Sequence, residues 1–78
     1  MSGDGSDKLV RMANQIADNF SYGDRKKAVA GVTDHLMRFW TLDMKRDITG
    51  RHARGDIGLN EIAAEAVTAL AKKIGQAA

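Results

Sequence analysis

The apolar residues of this chain recur every three to four positions and almost nowhere alternate. Leu9, Met12, Ala13, Ile16, Ala17 and Phe20 make one continuous helical stripe. Ala28, Val29, Val32, Leu36, Phe39 and Trp40 make a second, and Ile62, Ala63, Ala66, Val67, Leu70 and Ile74 repeat the pattern near the C-terminus. A half-buried strand hides every second residue, so this spacing argues against a sheet. It predicts an all-α chain, a small bundle of three to four short helices.

Polar residues punctuate the stripes. Ser6 or Asp7 can cap the first helix, and the run SYG at 21–23 breaks it. Asp24 is placed to accept from the open amides of a second helix, Arg25 to Trp40. Thr41 caps a short third helix with Asp43 in its first turn and Met44 and Ile48 four apart; Gly50, Gly55 and Gly58 are then expected to loosen the chain. Asn60 caps the last helix, Leu59 precedes it as a hydrophobic staple, and Lys72 and Lys73 suit the negative end of its dipole. The opening MSGDGS, residues 1–6, reads as a disordered tail, and residues 7–75 as a single helical domain.

A chain of 78 residues has one small core and hides only about 60% of the surface its unfolded form would expose. Small domains commonly add disulfides, a structural metal or a partner, and this one has no cysteine to oxidise. That composition fits a reducing compartment. No apolar run approaches the roughly 20 residues of a membrane span, and the polar, acidic start does not resemble a secretory signal. The expected location is the cytoplasm.

The net charge of +2 is unevenly spread. Eight Lys and Arg stand against three acidic residues between Arg25 and Arg54, and four against seven elsewhere. A basic segment at 25–54 suits an acidic protein partner, a phosphate backbone, or solubility alone. Arg25, Lys26 and Lys27 oppose the positive end of their own helix dipole, so Asp24 or an external anion is expected to compensate. Leu42 to Ala53, the best candidate for a recognition helix, mixes basic residues with two aspartates, which favours phosphate contact over base reading.

Catalytic chemistry finds little purchase. The two histidines, His35 and His52, lie on either side of a predicted break, and without cysteine a zinc site is not expected. Ser2, Ser6 and Ser21 fall in the tail or a turn with no local base, and no glycine pattern follows a strand to cradle a phosphate. The pairs Asp43 and Asp47, Glu61 and Glu65 are i,i+4 neighbours that read as solvated surface. The RGD tripeptide at 54–56 reads as coincidence.

Attention therefore falls on HLMRFW, residues 35–40, which holds two of the four aromatic residues. Trp40 lies on the core stripe with Leu36 and Val32, Phe39 about 100° round, and both rings are expected to reach the core. Met37 is expected to point away with Thr33. His35 reads either as a half-buried or surface histidine hydrogen-bonded within the helix, with Phe39 its i+4 neighbour, or as a contact or proton-sensitive residue at an interface. Met37, Arg38 and an aromatic edge have the composition that interfaces favour.

Two segments, LVRMANQIADNF (9–20) and AVAGVTDHLMRFWTLDMKR (28–46), resemble the delta subunit of NAD-dependent, molybdenum-containing formate dehydrogenases. That family is built around a MANQI segment, then an AVAG segment leading into H-x-x-R-F-W and a following Met-Arg or Met-Lys. The resemblance runs from about Leu9 to Leu70 and is strongest at Met12 to Ile16, His35, Arg38, Phe39, Trp40 and Met44. It departs at 41–43, where the family typically carries an Asp-Pro-Arg turn and this chain has Thr41, Leu42 and Asp43. Thr41 keeps a capping oxygen; Leu42 replaces the proline that would preset the first helical turn.

The resemblance implies a non-catalytic accessory subunit, with the molybdenum cofactor, iron–sulfur clusters, FMN and NAD held by other subunits and none in this chain. It would dock chiefly on the large molybdenum subunit and support assembly or stability of the complex. The expected partner-binding residues are Met37, Arg38, Trp40 and Met44 at the corner between the second and third helices, with His35 and Phe39 beside them. Asn14 and Gln15 are expected to contribute polar contacts or to fix the first helix against that corner. The alternative is a small helical protein that binds nucleic acid through segment 25–54, and a third reading is a homo-oligomer that buries the same corner.

Overall fold

The computed structural model describes residues 5–20 and 23–75, with side chains from Lys8 onward. Four helices follow in order: α1 Gly5–Phe20, α2 Arg25–Phe39, α3 Leu42–Arg54 and α4 Glu61–Lys73. The caps explain most of their limits. The Asp24 side chain accepts from the Lys26 amide, Thr41 from Met44 and Asn60 from Ala63, each supplying an acceptor to a donor the helix leaves open. The Thr41 cap closes its turn at 3.2 Å with Leu42 in the first helical position, so this corner forms without proline.

The start of α1 and the place of Gly50 differ from expectation. Helix α1 begins at Gly5, which places Ser6 and Asp7 inside it; their side chains, like residues 1–4, lie outside the described part. The break at 21–23 likewise lies outside the described residues except for Gly23. Gly50 does not loosen the chain. It sits within α3 beside the buried Ile48 and Thr49, where packing outweighs the roughly 1 kcal/mol a helical glycine costs relative to alanine.

Helix α4 is the centre of the bundle and packs most extensively on α2 and α3. Ala63, Ala66, Val67 and Leu70 are buried on α4, facing Val32 and Leu36 from α2 and Ile48 from α3 within one core cluster. Helix α1 contributes Val10, Ala13 and Ala17, three small residues that let it lie close; Leu9, Met12, Ile16 and Phe20 form a half-buried flank. The α1 stripe is thus rotated slightly towards Val10, a residue absent from the sequence-based stripe.

Helix α2 is covered on two sides. On one, the Phe20 ring of α1 lies against Gly31, where a Cβ would come within 2.8 Å of two ring carbons. On the other lies α4. Thr33 is buried there, its hydroxyl donating to Val29 O at 2.7 Å and approaching Ala66 O at 3.5 Å, and Met37 is half-buried against the core. The expected outward orientation of Thr33 and Met37 is therefore corrected: a lone threonine and methionine give no apolar stripe, so periodicity could not reveal the helix that covers them.

Candidate functional site

The α2–α3 corner separates its two aromatic residues. Trp40 ends α2 as its C-cap, donating its backbone amide to Leu36 O at 3.1 Å, and its side chain is only 6% exposed. Phe39, one residue earlier, is 68% exposed. The expectation that both rings enter the core fails for Phe39, because the turn at Trp40 directs one side chain inward and leaves its neighbour on the outer face of α2. Leu42, just past the turn, is 50% exposed. Two large apolar side chains thus flank a buried tryptophan.

A groove opens beside this corner between α1 and the end of α2. Met12, Gln15, Ile16 and Asn19 form its α1 wall, and His35, Phe39, Trp40 and Met44 the other. The α1 residues sit at i, i+3, i+4 and i+7 and make a wall about 10 Å long. Phe20, His35 and Phe39 form an aromatic row along the α2 side: Phe20 and His35 meet edge-on at 6.5 Å between centroids, His35 and Phe39 tilt together at 4.8 Å. Gly31, His35 and Phe39 are successive i+4 positions, so the glycine that admits the Phe20 ring also starts the row. His35 is half-buried, held between two rings.

Of the eight residues expected to bind a partner, five line this groove: Gln15, His35, Phe39, Trp40 and Met44. Met37 does not. It faces α4 and lines a different groove with Val29 and Ala69. Arg38 is exposed and paired with Asp34, Nε to Oδ2 at 3.0 Å. Asn14 lies elsewhere again. Its Nδ2 donates to Gly58 O at 2.9 Å and its Oδ1 accepts from the Asn60 amide at 2.8 Å, so it fixes α1 to the start of α4 and not to the corner. Gly58 holds φ +96, a conformation suited to glycine, and this bend presents its carbonyl to Asn14. The sequence reading missed Met12, Ile16 and Asn19 as groove residues and Leu42 as an exposed one; for Leu42 the signal was available, since it interrupts the family turn.

The basic segment is partly neutralised from within. The Arg25 guanidinium pairs with Glu61 at 2.8 Å and with Glu65, and hydrogen bonds from Glu65 first and Glu61 second raise its pKa above the ordinary arginine value. With Asp24, these carboxylates supply the compensation expected at the α2 N-terminus. Lys45 donates Nζ to Met37 O at 2.7 Å, satisfying a carbonyl in the last turn of α2 and placing a cation at its negative end.

His52 is held against α4, its Nε2 3.2 Å from Thr68 Oγ1. That hydroxyl also donates to Ala64 O at 3.0 Å, and His52 Nδ1 is buried with no hydrogen-bond partner among the described residues. Among the described residues no three His, Asp or Glu side chains group to hold a metal ion, and no helix is long and apolar enough to cross a membrane.

Residues 8–67 match the family model described as NADH-dependent formate dehydrogenase delta subunit FdsD. No curated protein and no solved structure matches the chain.

Proposed function

The chain belongs to the delta-subunit family of NADH-dependent formate dehydrogenases, and from that premise we propose that it is a non-catalytic subunit of the complex that docks on the large molybdenum subunit and supports assembly or stability. The observation that carries this reading is the exposure of Phe39 and Leu42 on either side of buried Trp40, with Phe39 lining the groove between α1 and the end of α2. An exposed aromatic side chain and an exposed leucine beside a preformed groove, rimmed by the amides of Gln15 and Asn19, have the composition of an interface centre and its polar edge. The small core makes a partner useful in a second way, since whatever binds only the folded form stabilises it by mass action.

The cofactors of the complex, molybdenum cofactor, iron–sulfur clusters, FMN and NAD, are assigned to the other subunits. The donor chemistry of this chain fits none of the metal centres: it has no cysteine for a cluster, and its described residues form no group of metal ligands. The expected setting is the cytoplasm.

The test is reconstitution. The tagged chain is mixed with the formate dehydrogenase complex prepared without it, and binding and formate-dependent NAD reduction are followed for wild type, Phe39→Ala with Leu42→Ala, and Gln15→Ala. Wild type is expected to bind and to prolong the active lifetime of the complex, with the double variant losing both. Equal binding by the double variant would move the docking surface away from this corner. Self-association of the free chain, abolished by the same pair, would assign the corner to a homo-oligomer.

A further inference from the structure

The side of α2 opposite the corner carries another groove, and its charges are arranged differently. Helices α2 and α4 advance in the same direction: Arg25 reaches Glu61 and Glu65 near the start of α4, and Thr33 meets Ala66 further along. Between them lies a floor of Val29, Ala30, Met37 and Ala69. From Val29 to Met37 the floor follows two helical turns, about 12 Å. Lys26 stands at one end and Lys73 at the other, both exposed.

The two carboxylates that border this groove are already engaged. Arg25 holds Glu65, and Arg38 holds Asp34. Lys26 and Lys73 form no ion pair among the described residues. The groove therefore presents an apolar centre with, at each end, a cation that has no ion-pair partner among the described residues. Its small residues, Ala30 and Ala69, leave room for another backbone to approach.

We propose that this α2–α4 groove is a second docking surface, occupied by an amphipathic helix of another formate dehydrogenase subunit that carries a short apolar stripe with a carboxylate at each end. The inference rests on the family reading above and deepens it. Apolar side chains at i, i+4 and i+7 of the occupant fill the floor, and its terminal Asp or Glu meet Lys26 and Lys73. With the corner groove on one side of α2 and this groove on the other, a single helix joins two partner elements, which gives an accessory subunit a means of holding them together.

The test places a photo-crosslinking phenylalanine analogue at Ala30 in one variant and at Phe39 in another, each assembled with the rest of the complex and illuminated, and the attached peptide is sequenced. Ala30 is expected to capture a helical segment of another subunit with acidic residues bracketing apolar ones. Binding is measured in parallel for Lys26→Glu with Lys73→Gln, expected to be about tenfold weaker and less sensitive to salt, and for Lys27→Glu, expected to match wild type. Lys26→Glu suits the α2 N-terminal dipole, whereas Lys73→Gln removes one of two lysines from the last turn of α4, so thermal unfolding of the pair is measured beside binding to show that binding is lost by a folded chain. Crosslinking from Phe39 but none from Ala30, with undiminished binding by the lysine pair, overturns this proposal and leaves the corner reading intact. Capture of a second copy of this chain at Ala30 also overturns it. Failure of both positions to crosslink overturns the docking reading as a whole.

Discussion

Asn14 and Asn60 are joined across 46 residues by a bond in which the Asn60 backbone amide donates to Asn14 Oδ1 at 2.8 Å, while Asn60 uses its own Oδ1 to cap α4 at Ala63. The second asparagine can cap because the first fixes its backbone. Asn14 also holds Gly58 O, so one side chain secures the turn into α4 from both sides of Leu59. Asn14→Ala is expected to cost about 1–3 kcal/mol, the range for leaving part-buried polar groups unpaired, and to lower the melting temperature by about 4–8 °C per kcal/mol in a domain this small. Gln15→Ala, one residue away and exposed, is expected to stay within about 0.5 kcal/mol of wild type. Thermal unfolding followed by circular dichroism checks both.

Gly31 admits the Phe20 ring, and the two are coupled. In a helix, Gly→Ala ordinarily gains up to about 1 kcal/mol, but a Cβ 2.8 Å from the ring must displace it, and overpacking of this kind costs about 1–3 kcal/mol. Gly31→Ala is therefore expected to destabilise the wild-type chain and to stabilise a Phe20→Ala chain. Denaturant unfolding of the four proteins in the cycle measures the coupling, and a gain in stability in both backgrounds would show that the ring moves aside freely.

Adjacent Phe39 and Trp40 are expected to respond oppositely. Trp40→Ala removes a buried side chain and costs about 3–5 kcal/mol, enough to unfold much of a small domain. Phe39→Ala removes a largely exposed ring and is expected to change stability by less than about 0.5 kcal/mol while weakening association with the complex about tenfold or more. Unfolding and binding measured on each variant separate the two roles.

These contrasts show what periodicity could and could not convey. Four helices and three of their caps, Asp24, Thr41 and Asn60, were legible because stripes and capping side chains are local chemistry. The stripe placed Trp40 inward, whereas the exposure of Phe39 depends on which elements lie beside the end of α2, and periodicity does not convey that. Asn14 stood out within MANQI, yet its role depends on Gly58 and Asn60, more than forty positions away, and no local pattern contains that. Met37 and Thr33 were misplaced for a similar reason, since α4 covers α2 beyond its stripe, out to Thr33 and Met37. The groove was partly legible: the aromatic cluster marked one wall, whereas Met12 and Ile16 read simply as core.

Arg25 makes a milder case. Its contacts with Glu61 and Glu65 are exposed, so Arg25→Gln is expected to lower thermal stability slightly and by less as salt is added. A loss that persists at high salt would mean that the aliphatic part of the side chain, not its charge, joins α2 to α4.

Lys45 discriminates between the protein-docking and nucleic-acid readings. If the basic segment served a phosphate backbone, Lys45→Met would lower that affinity and flatten its salt dependence while leaving the fold alone. Its Nζ instead donates to Met37 O, and Lys45 is half-buried. Removing a charged donor from the open end of α2 leaves a carbonyl without its partner, and Lys45→Met is expected to cost about 1–2 kcal/mol with no effect on retention by a single-stranded oligonucleotide. Lys26→Met, which alters an exposed side chain with no ion-pair partner among the described residues, is expected to leave stability nearly unchanged. Unfolding and filter binding on these two variants therefore distinguish a lysine that closes a helix from one that is available to a partner.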